Sequence, residues 1–163
     1  MRKFLITLAI VPLFSIAQIS NKIEGITINS PCELEYMRNL DNQNNYSCAF
    51  QDRDNKIYNY SATILNLFKD TNGLSENSLR EYKKEFLKTT KEIAEINGEK
   101  AEYVKLKNLD ALLTISYLEM SGLKFINLSV VFIYKNKSFT VNLTTNNLNK
   151  NAVQEKLINS ISL

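Results

Sequence analysis

The sequence predicts an α+β fold: an antiparallel sheet, made of N-terminal strands plus a four-stranded meander, covered by one long amphipathic helix and a C-terminal helix. Three observations lead there. Runs in which apolar and polar residues alternate, the signature of half-buried strands, occupy both halves of the chain. A single unbroken helical pattern, Ser75 to Ile96, separates them. A shorter helical pattern, Asn149 to Ser160, closes the chain. Strands, one helix, more strands and a last helix argue for α+β rather than for parallel βαβ units.

The elements follow in order. Met1-Arg2-Lys3 is a basic leader, Phe4 to Phe14 an uncharged apolar run, and Ser15-Ile16-Ala17 places small residues at the −3 and −1 positions of a signal-peptidase site. The run is shorter than the roughly 20 residues that span a bilayer. Residues 1–17 are therefore expected to be a secretory signal peptide. Residues 18–163 are expected to be one soluble α+β domain, periplasmic or extracellular, without stable membrane insertion. No cysteine follows the cleavage site, which argues against a lipid anchor. Removing Arg2 and Lys3 lowers the formal net charge from +3 to +1, so the composition gives no basis for nucleic-acid binding. Five N-x-S/T triplets, at Asn45, Asn59, Asn127, Asn136 and Asn142, are expected to arise by chance in an Asn-rich chain.

Cys32 and Cys48 are the only cysteines. In an exported protein such a pair reads as a disulfide. Cys32, Leu34 and Tyr36 share one strand face, Tyr46, Cys48 and Phe50 another, and the polar turn Asn39 to Asn45 brings the faces together. Closing this loop is worth about 3 kcal/mol in the chain-entropy account. Asp52-Arg53-Asp54-Asn55 reads as a turn: Lys56 stands where a calcium loop needs an oxygen ligand. Ile57 to Phe68 alternates as a third strand before Asp70-Thr71-Asn72-Gly73 breaks it.

The long helix carries Leu79, Tyr82, Phe86, Thr90 and Ile93 at helical spacing, with Leu87 and Ala94 broadening the apolar stripe. Its start is either Ser75, with Leu74 and Leu79 as a hydrophobic staple, or Ser78, with Glu81 completing a capping box. Asn97-Gly98 supplies the left-handed stop. Lys83, Lys84, Lys88 and Lys91, interleaved with glutamates, read as the solvated face. Strands follow at Ala101 to Leu106, Asp110 to Leu118, Leu123 to Tyr134 and Ser138 to Thr144. A two-residue loop at Asn136-Lys137 pairs Tyr134 with Phe139, Phe132 with Val141 and Val130 with Leu143. Thr140, Asn142 and Thr144 fall on the opposite, lightly covered face. The last helix turns Val153, Leu157 and Ile158 inward, with Ile161 just beyond it.

This order resembles the Mog1/PsbP-like fold of small exported bacterial proteins. The residues that carry the resemblance are Pro31-Cys32-Glu33 at a strand start, Ile64-Leu65-Asn66-Leu67 at a strand end, the helix Ser75 to Ile96, the hairpin Phe132 to Leu143 and the closing helix. The resemblance covers nearly all of residues 18–163 and implies a fold. The plant proteins of this class bind a membrane complex and the eukaryotic ones a small GTPase, and no residue of either role carries over here.

Absent chemistry narrows the function. The chain has no histidine and four glycines, none in a dinucleotide-binding or P-loop arrangement. Triads of the Ser-His-Asp kind and His-containing zinc sites are excluded. No metal, cofactor or catalytic residue is expected. Glu33 and Glu35 share a strand face, but like charges on an edge strand serve more simply as gatekeepers against aggregation. Tyrosines are the remaining candidates, and Tyr36, Tyr46, Tyr58 and Tyr60 are expected to form a binding surface for a protein or glycan on the sheet side away from the helix. The function expected is an exported, non-catalytic binding or accessory module acting through a sheet face or edge. The alternative is a carboxylate-dependent hydrolase or transferase of the cell envelope.

Overall fold

Tyr58, Tyr60, Ala62 and Ile64 alternate with Asn59, Ser61 and Thr63, and this period of two makes residues 57–66 a strand with one apolar face. The same alternation builds its neighbours. In a computed structural model, which describes residues 18–40 and 43–163 and so leaves the expected leader 1–17 outside the described residues, the strands form two antiparallel sheets.

In chain order the elements are β1 (Ile19–Ile23), β2 (Ile26–Ser30), β3 (Glu35–Leu40), β4 (Gln43–Gln51), β5 (Ile57–Asn66), α1 (Phe68–Thr71), α2 (Glu76–Ile96), β6 (Lys100–Leu106), β7 (Leu109–Met120), β8 (Leu123–Tyr134), β9 (Lys137–Thr145), α3 (Lys150–Ser160) and β10 (Ile161–Ser162). The larger sheet runs β3-β4-β5-β9-β8-β7-β6 and the smaller β1-β2-β10. Strand β5 joins the N-terminal strands to the meander by pairing with β9 from Tyr58↔Thr145 to Asn66↔Lys137. The protein is thus α+β with antiparallel sheets, a long helix and a C-terminal helix, as expected.

The two faces of the larger sheet differ. On the inner face, Tyr60, Ile64, Val130, Phe132, Val141 and Leu143 join Ile26 and Ile28 of β2, Val153 and Leu157 of α3 and Ile161 of β10 in one buried cluster. Phe132 and Phe139 stack across β8 and β9 with ring centroids 5.3 Å apart. The outer face is covered only in part. There Leu87 of α2 packs on Leu112 and Val131.

Several expectations need correction. The hairpin of β1 and β2 was not expected, although it supplies a wall of the main core. Helix α2 buries Leu87 and Ala94, while Ile93 is 55 % exposed. The helix meets the strands β6, β7 and β8 and buries only Leu87 and Ala94 of its stripe. Of the two starts, Ser75 is the cap, its Oγ accepting from the Ser78 amide at 3.2 Å. At the other end Gly98, at φ +79°, lets the Glu99 amide reach the Ala94 carbonyl at 2.9 Å, which satisfies a terminal acceptor. Strand β5 stops at Asn66, whose Oδ1 accepts from the Phe68 amide and turns the chain into α1. The β8–β9 loop is Lys135-Asn136, with Lys135 at φ 53°, so Phe132 pairs with Phe139 and Val130 with Val141. The register differs from the expected one by two residues. Because the strand period is two, the same side chains stay inside.

Cys32 and Cys48 form the expected disulfide, with Cα atoms 6.0 Å apart. Asn21, buried in β1, holds the adjoining segment: its side chain donates to the Ser30 hydroxyl at 2.9 Å and accepts from the Leu34 amide at 2.8 Å.

Candidate functional site

The four expected tyrosines do share one face, because they lie at alternate positions, but that face is the inner one. Tyr58 is 7 % and Tyr60 1 % exposed. Strands β4 and β9 flank β5 on both sides, and the small sheet and α3 roof its inner face. Neither ring can meet a partner. Lys156 of α3 caps Tyr58 with its Nζ 3.8 Å from the ring centroid; burial pushes the Lys156 ammonium below the usual lysine range. Tyr36 stays exposed and meets Tyr46 edge-on at 5.4 Å. The structure therefore brings together one pair, at the β3 edge, and removes the other two from the surface.

The outer face carries a different pattern. Cross-strand registers place Ser116, Asn127, Thr144 and Asn59 in one row, Thr114, Ser129, Asn142, Ser61 and Ser47 in a second, and Thr140, Thr63 and Asn45 in a third. Strand geometry spaces rows about 6.8 Å apart along the strands and neighbours about 4.8 Å apart across them. No charged residue lies within these rows from β4 to β7, but β3 ends two of them with one: Glu35 opposite Ser47 and Arg38 opposite Asn45. Hydrogen bonds run along them. Thr144 donates to Asn127 at 2.8 Å, Asn142 to Ser61 at 3.1 Å and Thr63 to Asn45 at 2.8 Å. Towards the β7 end Thr114 and Ser129 are buried, whereas Asn45, Ser61, Thr140, Asn142 and Thr144 remain partly exposed and Asn59 exposed.

This array corrects the reading of the N-x-S/T triplets. Asn45, Asn59, Asn127 and Asn142 each open a triplet whose third residue, Ser47, Ser61, Ser129 or Thr144, points to the same side of its strand. Four of the five triplets are thus the period-two imprint of one polar sheet face. The signal was present in the sequence; what was missing was the alignment of the four strands.

A concave site lies beside the array. Between the first half of α2 and the β6–β7 side of the outer face is a cleft of about 730 Å³. Leu79 and Leu87 of α2 face Tyr103, Leu109 and Ile133 of the sheet across it, and Lys and Glu side chains of α2 form its rim.

The acids are dispersed. Glu33 and Glu35 are exposed, and among the described residues no three metal-ligating side chains cluster. Glu24, in the β1–β2 turn, accepts from Lys137 of β9 and, at 3.0 Å, from Asn44 of β4. The hydrogen bond from Lys137 holds the Glu24 carboxyl below the usual carboxylate range, helped by the lysine charge and by Asn44 against the opposing effect of partial burial. Among the described residues no helix is long and apolar enough to cross a membrane.

No family model and no curated protein matches the chain. Among solved structures it is similar to a protein from Bacteroides thetaiotaomicron VPI-5482, at 14 % identity and a TM-score of 0.47, over 84 % of this chain and 44 % of that one. It is also similar to the cyanobacterial PsbP (CyanoP) of Synechocystis sp. PCC 6803, at 14 % identity and a TM-score of 0.36, over 90 % of this chain and 91 % of that one. The chain spans less than half the length of the Bacteroides protein. Neither likeness carries a ligand or a residue role to this chain.

Proposed function

We propose that residues 1–17 are a secretory signal peptide and that residues 18–163 act as a single-domain, non-catalytic binding module outside the cytoplasm. Its partner is an uncharged glycan, met by the open part of the outer sheet face. The observation that carries this reading is the absence of charge from the three rows where they cross β4, β5, β9 and β8, in a chain that is 23 % charged. Ser, Thr and Asn side chains each donate and accept hydrogen bonds, as sugar hydroxyls do. No ion has to be desolvated when two such surfaces meet. The disulfide supports export, since thiols stay reduced in the cytosol. The alternative, a carboxylate-dependent hydrolase or transferase, calls for paired acids in a concave site with at least one pKa raised. Glu24 is displaced downward instead, and Glu33 and Glu35 stand in the open.

The test is retention of the purified protein on a panel of uncharged polysaccharides, with anionic ones alongside. Wild type is retained on at least one uncharged polymer, and Asn142→Lys, which puts a charge mid-array, loses that retention with an unchanged circular dichroism spectrum. A wild type that passes every uncharged polymer unretained overturns the reading. Export is checked separately by sequencing the amino terminus of the secreted protein, where Gln18 is expected first.

A further inference from the structure

We infer that the cleft beneath α2 is a binding site for a single-chain anionic amphiphile, its head group held by Lys83 and its hydrocarbon chain lying on the apolar floor. This goes beyond the glycan reading and rests on other residues. Lys83 sits four residues from Leu79 and four from Leu87, on the helical row that faces the sheet. Its side chain is half-buried and lines the cleft, so it is not part of the solvated face to which its neighbours belong. The other lining charges are accounted for. Lys84 and Arg80 meet Glu81 at 3.0 and 4.0 Å, Lys88 meets Glu85 at 3.4 Å, and Asp110 across the cleft meets Lys105. Glu76 stands in the first turn of α2, where the partial positive charge at the helix N-terminus offsets it. Lys83 is the lining cation without an acidic partner among the described residues.

A half-buried lysine one turn from Leu79 and one from Leu87, lining a cleft with Tyr103, Leu109 and Ile133, offers one half of an ion pair beside an apolar floor. The ligand that completes it carries an anion joined directly to a hydrocarbon chain. An uncharged chain leaves Lys83 unmatched, and a small hydrophilic anion leaves the floor uncovered. The volume of about 730 Å³ lies within the range of small-molecule sites, roughly 300–1,000 Å³. Carboxylate and phosphate heads share this chemistry, and the experiment separates them.

The purified protein is titrated calorimetrically with dodecanoate, dodecyl phosphate and dodecanol, each below its aggregation threshold. Both anions are expected to bind more tightly than dodecanol; the tighter of the two identifies a fatty-acid or a phospholipid type of head. Lys83→Gln weakens the anions about tenfold, the loss of one charge-assisted hydrogen bond, and leaves dodecanol unchanged, while Lys83→Arg recovers most of the affinity. Tyr103→Ser, at a position already 56 % exposed, weakens all three ligands alike. Lys83→Gln leaves retention on uncharged polysaccharides intact, so the two sites fail independently. Equal binding of dodecanol and dodecanoate, an unaltered dodecanoate affinity in Lys83→Gln, or no binding of any of the three overturns the inference.

Discussion

Tyr60 shows how single atoms set the energetics of this core. Its ring is almost wholly buried and its hydroxyl has no hydrogen-bond partner among the described residues. Burying a polar atom unpaired costs about 1–3 kcal/mol, and the same burial pushes the phenol well above the usual tyrosine range. Tyr60→Phe is therefore expected to leave stability unchanged or to raise it by about 1 kcal/mol, read from urea denaturation midpoints; a clear loss would mean that the hydroxyl has a partner after all. Glu24 is the opposite case, a carboxyl that gains partners on folding. Its folded pKa lies below the unfolded value, so the stability it contributes is fully present above the unfolded carboxylate pKa, near 4.3, and is lost as pH falls through the folded value. Glu24→Gln should cost about 1 kcal/mol at neutral pH. The gap should begin to close below the unfolded value and vanish once pH has fallen past the lowered folded one, and a gap that persists in strong acid would assign the loss to packing instead. Little of this was legible in the sequence. The alternation of Tyr58 and Tyr60 fixed a common face, but whether that face met water depended on β1, β2 and α3, which lie far from β5 in the chain.

At the scale of elements, periodicity located α2, and burial then chose among its faces. Leu87 is buried and Ile93 is not, although the sequence placed both on one broad stripe, because a helix lying across a sheet touches it along a line. Leu87→Ala should cost about 2 kcal/mol, the low end for a buried leucine in a small cluster. Ile93→Lys should stay within about 0.5 kcal/mol, as exposed substitutions do. Equal losses at the two positions, in thermal melts, would place the helix differently. The disulfide was legible because only two cysteines exist; the strand face expected for Cys32 and Leu34 does not form, since β3 begins at Glu35 and Cys32 lies in a bend before it. Replacing both by alanine should cost about 2–4 kcal/mol, with the effect concentrated in slower refolding of the β3–β4 region in quenched-flow exchange. The β1–β2 hairpin was missed because Ile19 to Ser30 is short and borrows its cover from α3. The β8–β9 register was missed by two residues because hydrophobic parity alone permits either pairing; the left-handed Lys135 decides it.

For the whole molecule, the two faces of the larger sheet divide the work. The inner face, roofed by the small sheet and α3, provides the core. The outer face needs α2 over only β6, β7 and part of β8, and leaves an uncharged Ser/Thr/Asn array open on the rest. Charge composition gave no basis for nucleic-acid binding, and the array, uncharged from β4 to β8, agrees with that at the level of this surface. Its triplets were visible in the sequence, but only the strand order β4-β5-β9-β8 shows that they form one patch. The most direct measurement is a backbone NMR titration of the protein with the uncharged oligosaccharide that corresponds to a retained polymer. Chemical-shift changes concentrated at Asn45, Ser61, Thr63, Asn142 and Thr144 are the predicted result. Changes confined to the cleft residues of α2, or to the Tyr36–Tyr46 edge, would contradict it.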